Sequence, residues 1–113
     1  MTDARVESTT TDGRVHIVLS GEVDLDNADE VEGDLTQAIS NQATVVSINL
    51  AGLDYLDSAG LRVLFHLVER LATLQITVEL TAPMGSPSRR VVELSGLAAL
   101  VPLFPPVEDG APA

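Results

Sequence analysis

The sequence predicts a mixed α/β domain: a sheet of four or five strands, parallel in its middle, with helices packed mainly on one face. Two stretches carry most of that prediction. Thr44 to Leu50 is a β-branched, apolar run that reads as a buried strand. Directly after it, Leu61, Leu64, Phe65, Val68 and Leu71 recur at helical spacing, one stripe of an amphipathic helix. The third observation is length: 113 residues with 45% hydrophobic content make one domain with a real core. Aromatic content of 3% means that aliphatic side chains fill that core.

In chain order, residues 1–3 are expected to fray, and a single domain is expected over residues 4–104. Ala4 to Thr10 is polar and β-branched, an edge strand with few core contacts. Asp12-Gly13 is a hairpin turn, because glycine accepts the positive φ such turns need. Val15 to Leu19 follows as a strand with Val15, Ile17 and Leu19 on one face and His16 on the other. Ser20-Gly21-Glu22-Val23-Asp24 is expected to end it in a glycine turn with two carboxylates. A helix is predicted from Ala28 to Ser40, capped by Asp26 or Asn27, with Val31, Leu35, Ala38 and Ile39 as its apolar stripe. Its acids Asp29, Glu30, Glu32 and Asp34 form a solvated face and suit the dipole of the first turns.

Ala51 to Tyr55 reads as a connection out of the Thr44–Leu50 strand, and a helix runs from Ala59 to about Thr73. Gln75 to Thr81 is the next strand, ended by Pro83. Gly85-Ser86-Pro87 then turns into a short helix whose buried side is Val91, Val92 and Leu94, with Gly96 as its stop. Leu97 to Phe104 closes the core, and residues 105–113 are expected to be a flexible tail.

Composition excludes several functions. The formal net charge is −11 and all six basic residues are arginines. Such a surface repels phosphate backbones and anionic lipid, so neither nucleic acid nor a membrane surface is expected as partner. A protein with a basic or mixed face suits it better. No cysteine is present, so disulfides and thiolate metal sites are out. The acidic helix face lacks the glycine and glutamate spacing of a calcium loop, so no metal and no cofactor are expected. No apolar run approaches the ~18 residues of a membrane span, and the polar start is not a signal peptide. A cytoplasmic location is the expectation.

The chemistry concentrates at Leu56-Asp57-Ser58-Ala59-Gly60-Leu61, where a strand hands over to a helix. Asp57 and Ser58 are both good N-cap residues, and small Ala59 and Gly60 leave the helix start uncrowded. Ser58 therefore reads as a cap from the local pattern, in a place where a phosphate is also well received. It does not read as a nucleophile. There is no lysine and no Gly-x-Ser-x-Gly elbow, and His66 lies about 12 Å further along the helix axis. No catalytic residue is assigned.

The segment Val45 to Phe65, with its Asp57-Ser58-Ala59-Gly60-Leu61 turn, resembles the signature of the STAS domain, the fold of the bacterial anti-sigma factor antagonists. Gly21-Glu22-Val23-Asp24-Leu25 with Ala28 resembles a second part of that pattern, and Arg89 to Leu97 a third. Where family members commonly carry an aspartate, this chain has Asn49. The resemblance spans about residues 4 to 104 and implies a STAS-like sheet with helices on one face.

It also implies a function: an antagonist that binds an anti-sigma factor, itself a serine kinase, and so frees a sigma factor. Ser58 maps onto the serine which that kinase phosphorylates, and a separate phosphatase reverses the modification. The implied docking edge comprises Gly21, Glu22, Asp24, Asp57, Ser58, Ala59, Gly60 and Leu61, with Arg62 one turn on and able to offset part of a phosphate's charge. Two alternatives stand beside this reading. One is a STAS subunit of another assembly, such as a lipid ABC transporter, without phosphorylation. The other is a nucleotide-binding or hydrolytic enzyme, for which the missing base and missing phosphate loop leave little basis.

Overall fold

The computed structural model describes residues 3–105. In chain order the elements are β1 (Ala4–Thr11), β2 (Arg14–Val23), α1 (Ala28–Ala38), β3 (Val45–Asn49), β4 (Leu53–Leu56), α2 (Ser58–Thr73), β5 (Thr77–Thr81), α3 (Pro87–Ser95) and β6 (Leu103–Phe104). The strands form one mixed sheet in the order β1-β2-β3-β5-β6, with β4 paired to the far end of β2. Among the described residues only β1 and β2 run antiparallel, through the Asp12-Gly13 hairpin, and the other pairings are parallel. The sheet has six strands among the described residues rather than four or five, because β4 and β6 are too short to show as alternating runs. Residues 1–2 and 106–113, expected as loose ends, lie outside the described residues. Asp3, expected to fray with them, accepts a hydrogen bond of 2.8 Å from the Glu22 N–H.

Near the Gly21 and Asp57 turns the structure differs from expectation in two ways. β2 does not end at the Gly21 turn but continues to Val23. Gly21 has φ +93°, and a Cβ there would strike the Asp3 carbonyl, so glycine lets the strand pass while the pairing shifts register between Gly21 and Glu22. Up to Val18 β2 pairs with β3; from Gly21 onward it pairs with β4. Second, Leu53 to Leu56 is not a plain connection but β4 itself, a strand that takes over beside β2 after the chain leaves β3. The acidic helix is also shorter than expected and closes at Ala38, with Ile39 as C-cap.

The core lies between one face of the sheet and the three helices. Val15, Ile17 and Leu19 of β2, Val46 and Ile48 of β3, and Val78 and Leu80 of β5 point into it. Val31 and Leu35 of α1 meet them, as do Val63, Leu64, Leu67, Val68 and Leu71 of α2. Alternate strand positions such as His16 and Val18, on the opposite face of the sheet, are exposed. Each fully buried aliphatic side chain contributes roughly 1.5–3 kcal/mol, which fixes the face on which each helix lies. α3 differs from expectation on its buried side: Leu94 is 80% exposed, while Ser88, Arg89 and Val92 are buried. Arg89 is accommodated because its Nη1 donates to the Ala82 carbonyl at 2.7 Å and its Nε lies 3.4 Å from Glu93.

Candidate functional site

The two stretches singled out in the sequence meet at one corner of the fold. β4 lies beside the end of β2, with Tyr55 opposite Glu22 and Leu56 opposite Val23, so both strands finish at the same level. The Asp57 N–H then donates to the Val23 carbonyl at 3.2 Å. The convergence comes from β4 rather than from the β2-α1-β3 crossover alone.

Asp57 is the helix cap, and Ser58 is the first helical residue. Asp57 has an extended backbone, and its Oδ1 accepts from the Ala59 N–H at 2.9 Å and the Gly60 N–H at 3.0 Å. Its other oxygen reaches across the site and accepts from the Leu25 N–H at 3.3 Å. One carboxylate thus closes the start of α2 and ties it to the turn after β2. Gly60 is needed for that closeness. A Cβ on it would sit 2.5 Å from Leu56 Cδ1 and 2.9 Å from both Val23 Cγ1 and the Val23 carbonyl oxygen.

The turn between β2 and α1 is held from inside. The Asp24 N–H donates to Asn27 Oδ1 at 3.0 Å, Asn27 Nδ2 donates to the Glu22 carbonyl at 2.9 Å, and the Asp26 N–H donates to Asp24 Oδ1 at 2.9 Å. Asn27 stands at the cap position of α1 yet makes no side-chain bond to that helix. It is buried and spends its amide on the turn instead. This role was not legible in the sequence, where an asparagine ahead of a helix reads as a cap and its turn-facing bonds leave no local signal.

Exposure divides the site residues. Glu22, Ser58 and Arg62 are exposed; Gly21, Asp24, Asp57, Ala59 and Leu61 are half-buried; Gly60 is buried. Leu25, next to Asp24, is 78% exposed. Among the described residues no hydrogen bond engages the Ser58 hydroxyl, so a partner can reach it. His66 is held elsewhere, with its Nδ1 3.6 Å from the Glu32 carboxylate of α1. Tyr55 is 51% exposed, consistent with a ring that packs on one side and meets water on the other. Among the described residues no helix is long and apolar enough to cross a membrane. No group of three or more His, Asp or Glu among them is placed to hold a metal ion.

This arrangement has counterparts among known proteins. The STAS domain model matches residues 5–110. BtrV of Bordetella bronchiseptica, which is named for a proposed role as an anti-sigma factor antagonist, is 31% identical over 102 residues, covering 90% of this chain and 87% of that one. The crystal structure of an anti-sigma factor antagonist from Mycobacterium paratuberculosis superposes with a TM-score of 0.81 at 25% identity, over 95% of this chain and 90% of that one. SpoIIAA shares the fold in its unphosphorylated form, with a TM-score of 0.73 at 23% identity over 95% of this chain and 90% of that one. The phosphorylated form of SpoIIAA, from Bacillus, gives 0.68 at 24% identity over 95% and 94%. The chain belongs to the STAS domain family.

Proposed function

We propose that this chain is an anti-sigma factor antagonist whose docking to an anti-sigma factor is blocked by a phosphate on Ser58. The observation that carries the reading is the position of Ser58, exposed at the first position of α2 and beside the β2–α1 turn that Asp57 ties to it. The family membership and the names of the relatives support it, and SpoIIAA, which has the same fold, exists in a phosphorylated form. The kinase is the anti-sigma factor itself, and a phosphatase returns the chain to its binding form. The chain acts as a substrate and binding partner, not as an enzyme.

A phosphate on Ser58 would act through its charge. It brings about −1.5 to −2 charges at pH 7. The N–H groups of Ala59 and Gly60, which a phosphate at a helix start would otherwise use, already serve Asp57. The phosphate therefore stays directed outward, repelled by the Asp57 carboxylate and only partly offset by the helix dipole and Arg62. A docked surface would have to bury that charge without a built-in counterion, and docking fails while the fold persists.

The test uses each anti-sigma factor kinase of the native host, purified, with the full chain and ATP. One of them is expected to bind the unmodified chain and to add one phosphate, located on Ser58 by mass spectrometry and absent in Ser58→Ala. Phosphate on Ser86 or Ser88 instead, or equal binding of the phosphorylated and unmodified chains, would overturn the proposal.

A further inference from the structure

Single exposed leucines are common and by themselves mean nothing. Leu25 differs from them in how it is held. Its side chain is 78% exposed, yet its turn is fixed on both sides: the Asp26 N–H bonds Asp24 Oδ1, Asn27 bonds Asp24 and Glu22, and its own N–H bonds Asp57 across the site. Exposed loops are ordinarily mobile, and ordering one on binding costs affinity. Here the backbone of the turn is already ordered, and what it presents is an apolar side chain.

Resting on the functional reading above, we propose that Leu25 is the apolar anchor by which this chain engages its anti-sigma factor, and that Asp57 is its positioning residue. The chemistry of the partner's complementary surface follows from what surrounds the anchor. Leu25 stands between Asp24 and Asp26, with Glu22 exposed nearby on β2 and Asp57 bonded to its own N–H. The fitting surface is an apolar pocket large enough for a leucine, with cationic side chains on the side facing Glu22 and Asp26 and none facing Ser58. Apolar burial at the centre supplies affinity, and the charged rim supplies orientation and a fast encounter. The bond from Asp57 sets where the leucine stands relative to Ser58, 33 residues later in the chain, so anchor and switch address one partner surface.

Asp57→Asn separates the two tasks of the carboxylate. Asparagine still caps a helix through its Oδ1, so the Ala59 and Gly60 bonds survive. The atom then facing the Leu25 N–H is an NH₂ group, which cannot accept. The probe is the host anti-sigma factor that binds the unmodified full chain, measured by calorimetry. Leu25→Ala is expected to weaken binding at least about tenfold, Leu25→Met to stay within about threefold, and both to melt as the parent does. Asp57→Asn is expected to weaken binding at least about threefold, with faster amide hydrogen exchange at Leu25 and unchanged exchange at Ala59 and Gly60. Parent-like binding by Leu25→Ala, with Ser58→Asp still blocked, overturns the anchor and leaves the functional reading intact. Unchanged exchange at Leu25 in Asp57→Asn overturns the positioning role. If no host anti-sigma factor binds the unmodified chain, the functional reading fails, and the anchor fails with it.

Discussion

The starts of α2 and α3 are built from the same residue types and put them to opposite uses. Both follow a strand and carry a serine in the first turn. At α3, Ser86 is the cap: its Oγ accepts from the Arg89 N–H at 3.2 Å, with Pro87 at the first helical position. Ser88 is 2% exposed and donates to the Leu50 carbonyl at 3.2 Å. Both hydroxyls there are structural. At α2 an aspartate does the capping, and the adjacent serine stands exposed at the first helical position. Because Asp57 makes the cap bonds of α2, the Ser58 hydroxyl is not drawn into the cap as that of Ser86 is.

The largest expected effect comes from placing a charge at each start. Ser88→Asp would bury a carboxylate against the Leu50 carbonyl, an acceptor facing an acceptor, and is expected to cost several kcal/mol, on the order of 3 or more. Ser58→Asp stands in solvent at a positive helix end, so its melting temperature should stay close to the parent's. Its cost falls instead on partner binding, expected to weaken by at least about 1.4 kcal/mol, or tenfold. Thermal melts of both variants and calorimetry of the second decide the matter. Equal destabilisation at the two positions would erase the distinction drawn between them.

How much of this contrast the sequence discloses depends on whether the cause is local. Strand and helix faces were legible because Val15, Ile17 and Leu19 alternate and Leu64, Val68 and Leu71 recur at helical spacing, and burial follows those periods. The Asp57-Ser58 handover was legible for the same reason, although the choice between the two as cap was not, since both suit it. What escaped were features fixed by contacts distant in sequence. β4 has only four residues, and its strand character comes from pairing with β2. Gly21 reads as a strand end because a positive φ usually means a turn, whereas here the Asp3 carbonyl lies against it inside a continuing strand. Leu94 faces water and Arg89 faces the core because Ala82 offers a carbonyl to the arginine, which no helical period encodes.

A middle-sized effect probes why α2 starts so close to β2. Gly60 and Gly33 both lie inside helices, but only Gly60 has neighbours where a Cβ would go; nothing lies within 4 Å of that position at Gly33. Gly33→Ala should therefore stabilise by about 0.5–1 kcal/mol, the ordinary gain from replacing glycine in a helix. Gly60→Ala should lose about 1–3 kcal/mol, because the Val23 carbonyl and Leu56 must give way. Urea melts of the two variants give both signs. A stabilised Gly60→Ala would mean that the corner holding the two motifs is looser than its contacts indicate.

The smallest effect is the removal of each hydroxyl. Ser88→Ala takes a donor from the Leu50 carbonyl, which keeps its bond from the Leu53 N–H at 3.1 Å, so the loss should be about 1 kcal/mol and no more. Ser58→Ala removes no cap, because Asp57 makes both bonds to Ala59 and Gly60, and it places a better helix former at an exposed position. Its stability should stay within about 0.5 kcal/mol of the parent, well short of what a lost cap costs. Denaturant unfolding resolves the two variants if their slopes agree with the parent's. A loss of a full kcal/mol or more in Ser58→Ala would show that the hydroxyl itself holds the start of α2. The serine would then be structural, as Ser86 is at α3, and a phosphate on it would disturb the helix as well as the interface.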